Sequence, residues 1–211
     1  MSSLLILGSG GHARVLAETA LASGVFSSIC FLDDSVHVSN GNITTLGWPV
    51  LGPLSMCTDS SIIRNYPHAL VGIGSSALRL HWLTELDKVG YNIPSVVHPS
   101  AVVSPSAFLG PGSVVFANSV IQSGSNLCAG VILNTGCSID HDVHLSDGVH
   151  ICPGARLAGE VHVGSRSWIG IGASVIQQVR IGSDVIVGAG AAVVQDLADG
   201  VTAVGIPARS R

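Results

Sequence analysis

The second half of the chain carries an aliphatic side chain at every sixth position. From Val97 to Val193, all 17 positions reached in steps of six are Val, Ile or Leu. From Ala101 to Ala191, the residue two positions before each of these is Ala, Ser, Val or Cys. A period of six fits neither an α-helix nor a coiled coil. It is typical of a parallel β-helix, in which short strands stack coil upon coil around an aliphatic core.

The positions three residues after the aliphatic ones predict where the chain turns. Gly, Asn or Asp occupies most of them, and these residues tolerate the positive φ that a tight turn requires. The predicted turn residues are Gly112, Asn118, Gly124, Gly130, Gly136, Asp142, Gly148, Gly154, Gly172, Asp184 and Gly190.

The first part of the chain alternates between apolar runs and helical patterns. "LLILGSGGHARVLAETALASG" predicts a strand, a Gly-rich turn and a helix with Val15, Leu16, Ala20 and Leu21 on one face. "SSICFLDD" predicts a second strand, and "HALVGIGSS" with "ALRLHWLTELDKVG" repeats the strand, turn and helix. This alternation indicates a parallel α/β sheet. We therefore predict a Rossmann-like domain at 1–95 and a β-helix at 96–211.

The composition excludes some classes of binding partner and indicates the cellular compartment. Charged residues make up 10% of the 211 residues, the net charge is −4 and no Lys/Arg run occurs, which argues against nucleic acid and against an anionic membrane. The sequence contains no uninterrupted stretch of about 18 apolar residues, so it predicts no membrane-spanning helix. The five cysteines lack CxxC spacing, so we expect reduced thiols in a cytoplasmic protein.

The Gly-rich turn "GSGGHA" leaves three interpretations open. It matches the dinucleotide-binding pattern G-x-G-x-x-A with an acidic residue about 20 positions later. It also fits a tight turn with glycines that only allow close packing. In the third interpretation, Gly10 and Gly11 expose backbone N–H groups that hold a nucleotide phosphate, with His12 at the same mouth. Asp33 and Asp34 would then accept hydrogen bonds from the base or the ribose.

The segment 134–154, "NTGCSIDHDVHLSDGVHICPG", concentrates histidine, aspartate and cysteine. The six-residue repeat resembles that of the hexapeptide-repeat acyltransferases, whose coils hold 18 residues. One hypothesis is then a metal site, because His144 and His162 are 18 residues apart and would stack, and Cys152 could join them. The protein would then be a metal-dependent lyase of the β-helical carbonic anhydrase type.

The other hypothesis for this segment is general base catalysis. His141 follows a strand at the start of a turn and therefore points outward, and Gly159 in the next coil leaves space above its ring. Histidine is neutral near pH 7 and can accept a proton. Asp142 could orient the ring, although the turn alone would also select an aspartate there.

The combination of "GSGGHA", "FLDD", the hexapeptide repeat and "NTGCSIDHDVHLSDGVHICPGARLAG" resembles the bacterial nucleotide-aminosugar N-acetyltransferases. These act on nucleotide-linked 4-amino-4,6-dideoxy sugars in glycan biosynthesis. The resemblance implies a left-handed β-helix with three hexapeptides per coil, and acetyl-CoA as co-substrate without a metal. It also implies homotrimers with active sites between subunits. The chain is also similar to the sialic acid O-acetyltransferases, so a sugar hydroxyl remains an alternative acceptor.

The resemblance further implies roles for individual residues. His141 matches the general base, and Asp142 matches its acidic partner, which is often Glu in the family. The acetyl-CoA contacts match His150, Gly159, Ile171 and Ala189. The substrate contacts match Gly10, Gly11, His12, Asp33, Asp34 and Asn134.

Overall fold

The computed structural model describes residues 2–35 and 43–211, and it separates into two compact units between Val96 and Val97. No helix within the described ranges is long and apolar enough to cross a membrane.

The N-terminal unit is built on a five-stranded sheet of order β3-β4-β2-β1-β5. β1, β2, β4 and β5 run parallel, and β3 pairs antiparallel with β4. The prediction of a parallel α/β unit is confirmed. Its elements are β1 Ser2–Leu7, α1 Gly11–Ala22, β2 Phe26–Leu32, β3 Thr44–Thr45, β4 Trp48–Gly52, a 3-10 helix Leu54–Thr58, α2 Ser60–Asn65, β5 His68–Val71 and α3 Ser76–Lys88.

Two details of this unit differ from the sequence interpretation. Val15 is exposed and Leu21 only half-buried, while the buried face of α1 contains Ala13, Leu16 and Ala17. The sequence also gave no signal for β4, because the strand includes Pro49 and ends in a glycine with φ +154°. Both features weaken a strand pattern in the sequence.

The C-terminal unit is a left-handed parallel β-helix with strands of two residues, as the family resemblance implied. Its strands are β6 Val96–Val97, β7 Val102–Val103, β8 Phe108–Leu109, β9 Val114–Val115, β10 Val120–Ile121, β11 Asn126–Leu127, β12 Ile132–Leu133, β13 Ser138–Ile139, β14 His144–Leu145, β15 His150–Ile151, β16 Arg156–Leu157, β17 His162–Val163, β18 Trp168–Ile169, β19 Ser174–Val175, β20 Arg180–Ile181, β21 Ile186–Val187, β22 Ala192–Val193, β23 Thr202–Val204 and β24 Arg209–Ser210.

Every strand from β10 to β19 pairs in parallel with the strands three before and three after it. Each residue therefore has its counterpart 18 positions away, for example His144 beside His162. Sheet I contains β6, β9, β12, β15, β18, β21, β23 and β24. Sheet II contains β7, β10, β13, β16, β19 and β22, and sheet III contains β8, β11, β14, β17 and β20.

The second residue of each strand points into the core, as the six-residue period predicted. These side chains are buried from Val115 to Val193. The small inward track includes buried serines, and each hydroxyl donates to a turn carbonyl. Ser125 Oγ, for instance, lies 2.7 Å from the carbonyl oxygen of Asp140. A buried hydroxyl costs free energy unless it is paired in this way.

Three rows of turns form the edges of the β-helix. The glycine edge joins sheets I and II, and its turn residues with positive φ are Asn118, Gly136, Gly154, Gly172 and Gly190. The histidine edge joins sheets II and III, and the equivalent residues are Gly124, Asp142, Glu160 and Gln178. The third edge joins sheets III and I, with Gly112, Gly130, Gly148, Arg166 and Asp184.

All the predicted turn residues have positive φ. Glu160, Arg166 and Gln178 share this backbone conformation although none is Gly, Asn or Asp.

Candidate active site

His141 and Asp142 form a hydrogen-bonded pair in one turn of the histidine edge. His141 Nδ1 lies 2.9 Å from Asp142 Oδ2, and both side chains are largely exposed. The backbone N–H of His141 donates to Asp140 Oδ1 at 2.8 Å, which fixes the start of the turn. Because Nδ1 faces the carboxylate, the other ring nitrogen, Nε2, is left for a substrate.

Two glycines make room for this pair. A Cβ added to Gly159 would lie only 2.6 Å from Cε1 of His141, and one added to Gly124 would overlap Asp142 Oδ1. The expectation that Gly159 leaves open space above the ring is therefore wrong, because the imidazole itself occupies that space. Gly159 has no positive φ, so its lack of a side chain serves the position of His141.

The surroundings of His141 favour its protonated form. The hydrogen bond to Asp142 raises the pKa of His141 above its ordinary value, and the negative charges of Asp140, Asp142 and Glu160 add to the effect. A base whose pKa lies near the working pH is effective in proton transfer. The arrangement has the parts of a general base with an orienting carboxylate.

His150 and Asn134 meet at a different place. Asn134 Nδ2 lies 3.2 Å from His150 Nε2, and the ring of His150 packs against Trp168 with centroids 4.1 Å apart. His150 is buried on sheet I, while Asn134 begins a turn of the glycine edge. Sheet II lies between this edge and His141. One chain therefore brings the four polar candidates together as two separate pairs.

The remaining acetyl-CoA candidates also divide between the edges. Ile171 and Ala189 lie on the glycine edge, in turns one coil apart, and Ile171 is 61% exposed. The glycines beside them, Gly172 and Gly190, have open space where a Cβ would lie. Gly159 lies on the histidine edge. The exposed turns with Ile171 and Ala189 and the His141–Asp142 pair thus occupy separate edges of the β-helix.

The stacking of His144 and His162 is confirmed, with ring centroids 5.9 Å apart. Cys128 Sγ lies 3.9 Å from His144 Nε2, and burial raises the pKa of Cys128. Cys152 is on the glycine edge and buried, away from this stack. Within residues 2–35 and 43–211, no group of three His, Cys, Asp or Glu side chains is arranged to hold a metal ion.

The Gly-rich turn of the N-terminal unit contains glycines of two kinds. Gly8 has φ +92° and lies against Gly72, and a Cβ on Gly72 would overlap Ala13. These two positions are glycine for backbone and packing reasons. Gly10 and Gly11 have ordinary φ, and nothing lies within 3.8 Å of an added Cβ. The fold therefore does not require glycine at positions 10 and 11, whereas close approach of a ligand would.

The polar side chains around this turn differ in their burial and in how many hydrogen bonds they already accept within the protein. Burial and the nearby charge of Arg79 lower the pKa of His12 to about 4, so His12 is neutral near pH 7. Asp33 accepts four hydrogen bonds at 2.6–2.8 Å, from the N–H and hydroxyl groups of Ser9 and Ser35. Asp34 Oδ1 accepts from the N–H of Leu54 at 2.8 Å. Asp33 thus braces the turn, and exposed Asp34 is the freer acceptor.

Sequence reasoning missed three polar residues beside the His141–Asp142 pair. Glu160, Gln178 and Arg180 line a cavity of about 500 Å³ together with Asp142 and His162. Glu160 and Gln178 were detectable as residues other than Gly, Asn or Asp in turn positions. Arg180 had no signal, because outward positions of the strands accept any polar side chain.

Comparisons with known proteins agree with this architecture. Residues 3–86 match the family model of the PglD N-terminal domain. The acetyltransferase domain of PglB from Neisseria gonorrhoeae is 41% identical, with full coverage of both chains and a TM-score of 0.92. PerB from Caulobacter crescentus, solved with CoA and GDP-perosamine, is 38% identical over 100% of this chain and 98% of its own, with a TM-score of 0.89.

WeeI from Acinetobacter baumannii is 25% identical over the full length of both chains, with a TM-score of 0.86. The comparison with curated proteins gives no match.

Proposed function

This chain belongs to the family of nucleotide-aminosugar N-acetyltransferases, and on that premise we propose that it acetylates the amino group of a nucleotide-linked 4-amino-4,6-dideoxy sugar with acetyl-CoA. The observation that carries the proposal is the exposed His141–Asp142 pair, whose Nδ1–Oδ2 distance is 2.9 Å. Relatives support the two substrates, since structures of the Caulobacter crescentus enzyme contain CoA and GDP-perosamine. Those structures include variants in which a histidine is replaced by Asn or Ala.

In the proposed reaction, the neutral amine attacks the thioester carbonyl of acetyl-CoA. His141 Nε2 takes the proton that the nitrogen loses, and Asp142 stabilises the resulting imidazolium. The tetrahedral intermediate collapses with breakage of the C–S bond. CoA leaves as a thiolate, which the proton from His141 neutralises to the free thiol. The products are the N-acetyl sugar and CoA.

The cysteines favour direct transfer over an acetyl-enzyme intermediate. Cys137 is fully buried, and burial raises its pKa to about 11. Burial likewise raises the pKa of Cys152 to about 12, and the pKa of Cys128 is also raised. Thiols with raised pKa values are poor nucleophiles near neutral pH because little thiolate is present. We therefore propose a ternary complex of enzyme, acetyl-CoA and sugar nucleotide.

We further propose that the active enzyme is a homotrimer. The proposed base and Gly159 lie on the histidine edge. The proposed CoA contacts Ile171 and Ala189 and the proposed substrate contact Asn134 lie on the glycine edge, with sheet II between the two edges. A thioester that reaches both sets is most simply held between the histidine edge of one copy and the glycine edge of the next. His150 would act there through Asn134, because its own ring is buried.

The nucleotide is proposed to bind at the Gly-rich turn of the N-terminal unit. Gly10 and Gly11 offer backbone N–H groups at the start of α1, where an anion is favoured. The ring N–H of neutral His12 can donate a hydrogen bond to a phosphate oxygen, and the carboxylate of Asp34 can accept a hydrogen bond from the base or the ribose. Asp33 supports the turn through its four hydrogen bonds and would contact the nucleotide only if Ser9 or Ser35 released it.

The proposal is tested by thiol release from acetyl-CoA with UDP-, dTDP- and GDP-linked 4-amino sugars as acceptors. Each acceptor is paired with its 4-hydroxy counterpart, and zinc is measured in the purified protein. We expect CoA release with at least one amino sugar, little with the hydroxy sugars and no stoichiometric zinc. Release with the hydroxy sugars alone would indicate an O-acetyltransferase. One equivalent of zinc without thiol release would contradict the acetyltransferase assignment.

A further inference from the structure

Glu160 has a backbone conformation that its side chain does not explain. Its φ is +61°, in the left-handed region that costs an L-residue about 1 kcal/mol or more. Most other turns of the β-helix use Gly, Asn or Asp at this position. Such an outlier at the edge of a reactive site is a reason to look for a role.

A second turn, on the third edge, provides a comparison. Arg166 also has positive φ, and it donates to Asp184 in the next coil, with a distance of 2.7 Å from Nε to Oδ1. Both of these side chains are exposed, and neither is near a proposed reactive group. This pair is an ion pair between adjacent coils and has no further contact with the site.

Like Arg166, Glu160 forms a side-chain hydrogen bond to the next coil. Unlike Arg166, it lies directly above the turn that contains His141. Gln178 Nε2 lies 3.2 Å from Glu160 Oε2, which holds the carboxylate at the edge. The backbone N–H of Glu160 donates to the carbonyl oxygen of His141 at 2.9 Å. Glu160 also follows Gly159, the residue on which the imidazole packs. The carboxylate is therefore fixed one coil above the His141–Asp142 pair.

The charged groups around His141 are unevenly distributed. Asp140 and Asp142 lie in its own turn and Glu160 in the turn above, whereas the turn below, 122–124, carries no charge. His162 of β17 and Arg180 of β20 face Asp142 and Glu160 across the cavity. Burial and the charge of Arg180 lower the pKa of His162, which is thus mainly neutral near pH 7.

We propose that Glu160, held by Gln178, is a positioning residue that stabilises the imidazolium form of His141 and so tunes the base. This inference rests on the proposed function for its catalytic meaning. The charge of Glu160 is the smallest of the causes that raise the pKa of His141, after the hydrogen bond to Asp142 and the charges of Asp140 and Asp142. Removal of this exposed charge should therefore lower the pKa of His141.

The test is an NMR titration of the His141 ring in Glu160→Gln, without substrate, with the signal assigned by its loss in His141→Ala. Asp184→Asn is the matched control, because it removes a carboxylate that is paired between coils on another edge. We expect a lower pKa of His141 in Glu160→Gln, an unchanged pKa in Asp184→Asn and a nearly normal pKa in Glu160→Asp. The acidic limb of the kcat/KM profile should move with the titration.

The two possible failures can be told apart. An unchanged pKa of His141 in Glu160→Gln, or an equal shift in Asp184→Asn, would overturn the role of Glu160 even in an active enzyme. A shifted pKa in a protein that releases no thiol with any acceptor would instead refute the proposed function. Melting temperatures of all variants check that the turns remain folded.

Discussion

The histidine edge and the glycine edge of the β-helix share one backbone but carry different side chains. On the glycine edge, the turn residues from Gly136 to Gly190 have open space where a Cβ would lie. On the histidine edge, the corresponding residues include Asp142 and Glu160. Here the side chain of Asp142 fills the space beside Gly124, and the imidazole of His141 fills the space beside Gly159. A repeated fold can therefore have glycine turns without side chains along one edge and polar side chains, here the proposed base and its partner, along another.

The difference shows that a glycine in a repeat can have two separate causes. Gly154 has φ +67° and open space around it, so its backbone conformation accounts for the glycine. Gly159 has no positive φ, and its missing side chain leaves room for the imidazole of His141. Substitutions on the two edges should therefore affect different properties of the protein.

The largest expected effect is that of His141→Ala. Loss of the base should lower kcat by about 10²–10⁴-fold, which is the usual contribution of general acid–base catalysis. The melting temperature should stay close to that of the parent, because the side chain is exposed. Steady-state thiol release and thermal unfolding measure the two quantities. Turnover close to the parent's would rule out His141 as the base.

Gly159→Ala should have the next largest effect. The added methyl group pushes the imidazole from its place, and a displacement of about 1 Å at a reacting group can lower the rate by about 100-fold. Stability should change little, since φ is compatible with alanine and the ring can move into solvent. An unchanged kcat, or a crystal structure with His141 in place, would contradict this.

Gly154→Ala on the glycine edge should give the opposite result. The left-handed conformation costs alanine about 1 kcal/mol, so the melting temperature should fall by about 2–4 °C. Since the added methyl group does not touch the imidazole of His141, kcat measured well below the melting temperature should fall much less than in Gly159→Ala, even though the glycine edge faces acetyl-CoA in the proposed trimer. If Gly154→Ala lost activity without losing stability, the contrast between the edges would fail.

The pH dependence is a smaller effect that belongs to the histidine edge. The base works only when unprotonated, so kcat/KM should fall as the pH drops through the pKa of His141. The hydrogen bond to Asp142 raises that pKa, which places the acidic limb above the ordinary histidine value of 6.5. In Asp142→Asn the limb should move to lower pH, and the rate on the plateau should also fall. A limb that stays in place would exclude His141 as the titrating group.

The sequence predicted the β-helix well because its core is repetitive. Each inward position, such as Leu145 or Ile151, needs an aliphatic residue of similar volume, so the pattern survives in a single chain. The N-terminal unit was harder to predict, because β4 contains Pro49 and ends at Gly52, and it joins the sheet through its pairing with β2. The local sequence of such a strand has no periodic signal.

The candidate site was predictable in its residue types and less so in its contacts. His141 and Asp142 are adjacent in sequence, so their pairing followed from the turn. The hydrogen bonds of Asp33 to Ser9 did not follow from the sequence, because Ser9 is 24 residues away in the turn after β1. Nor did the sequence indicate that Glu160 belongs with His141.

The sequence by itself determined the six-residue repeat, the inward register and most of the turns, since each depends on residues within one hexapeptide. A period of six does not say how many hexapeptides close a coil. The family resemblance implied three hexapeptides per coil, and the tertiary structure decided that residues 18 apart are neighbours. It thereby set His141 on Gly159, Asp142 on Gly124 and Glu160 above the catalytic pair. Contacts between coils depend on this closure, and the chemistry of the edge depends on those contacts.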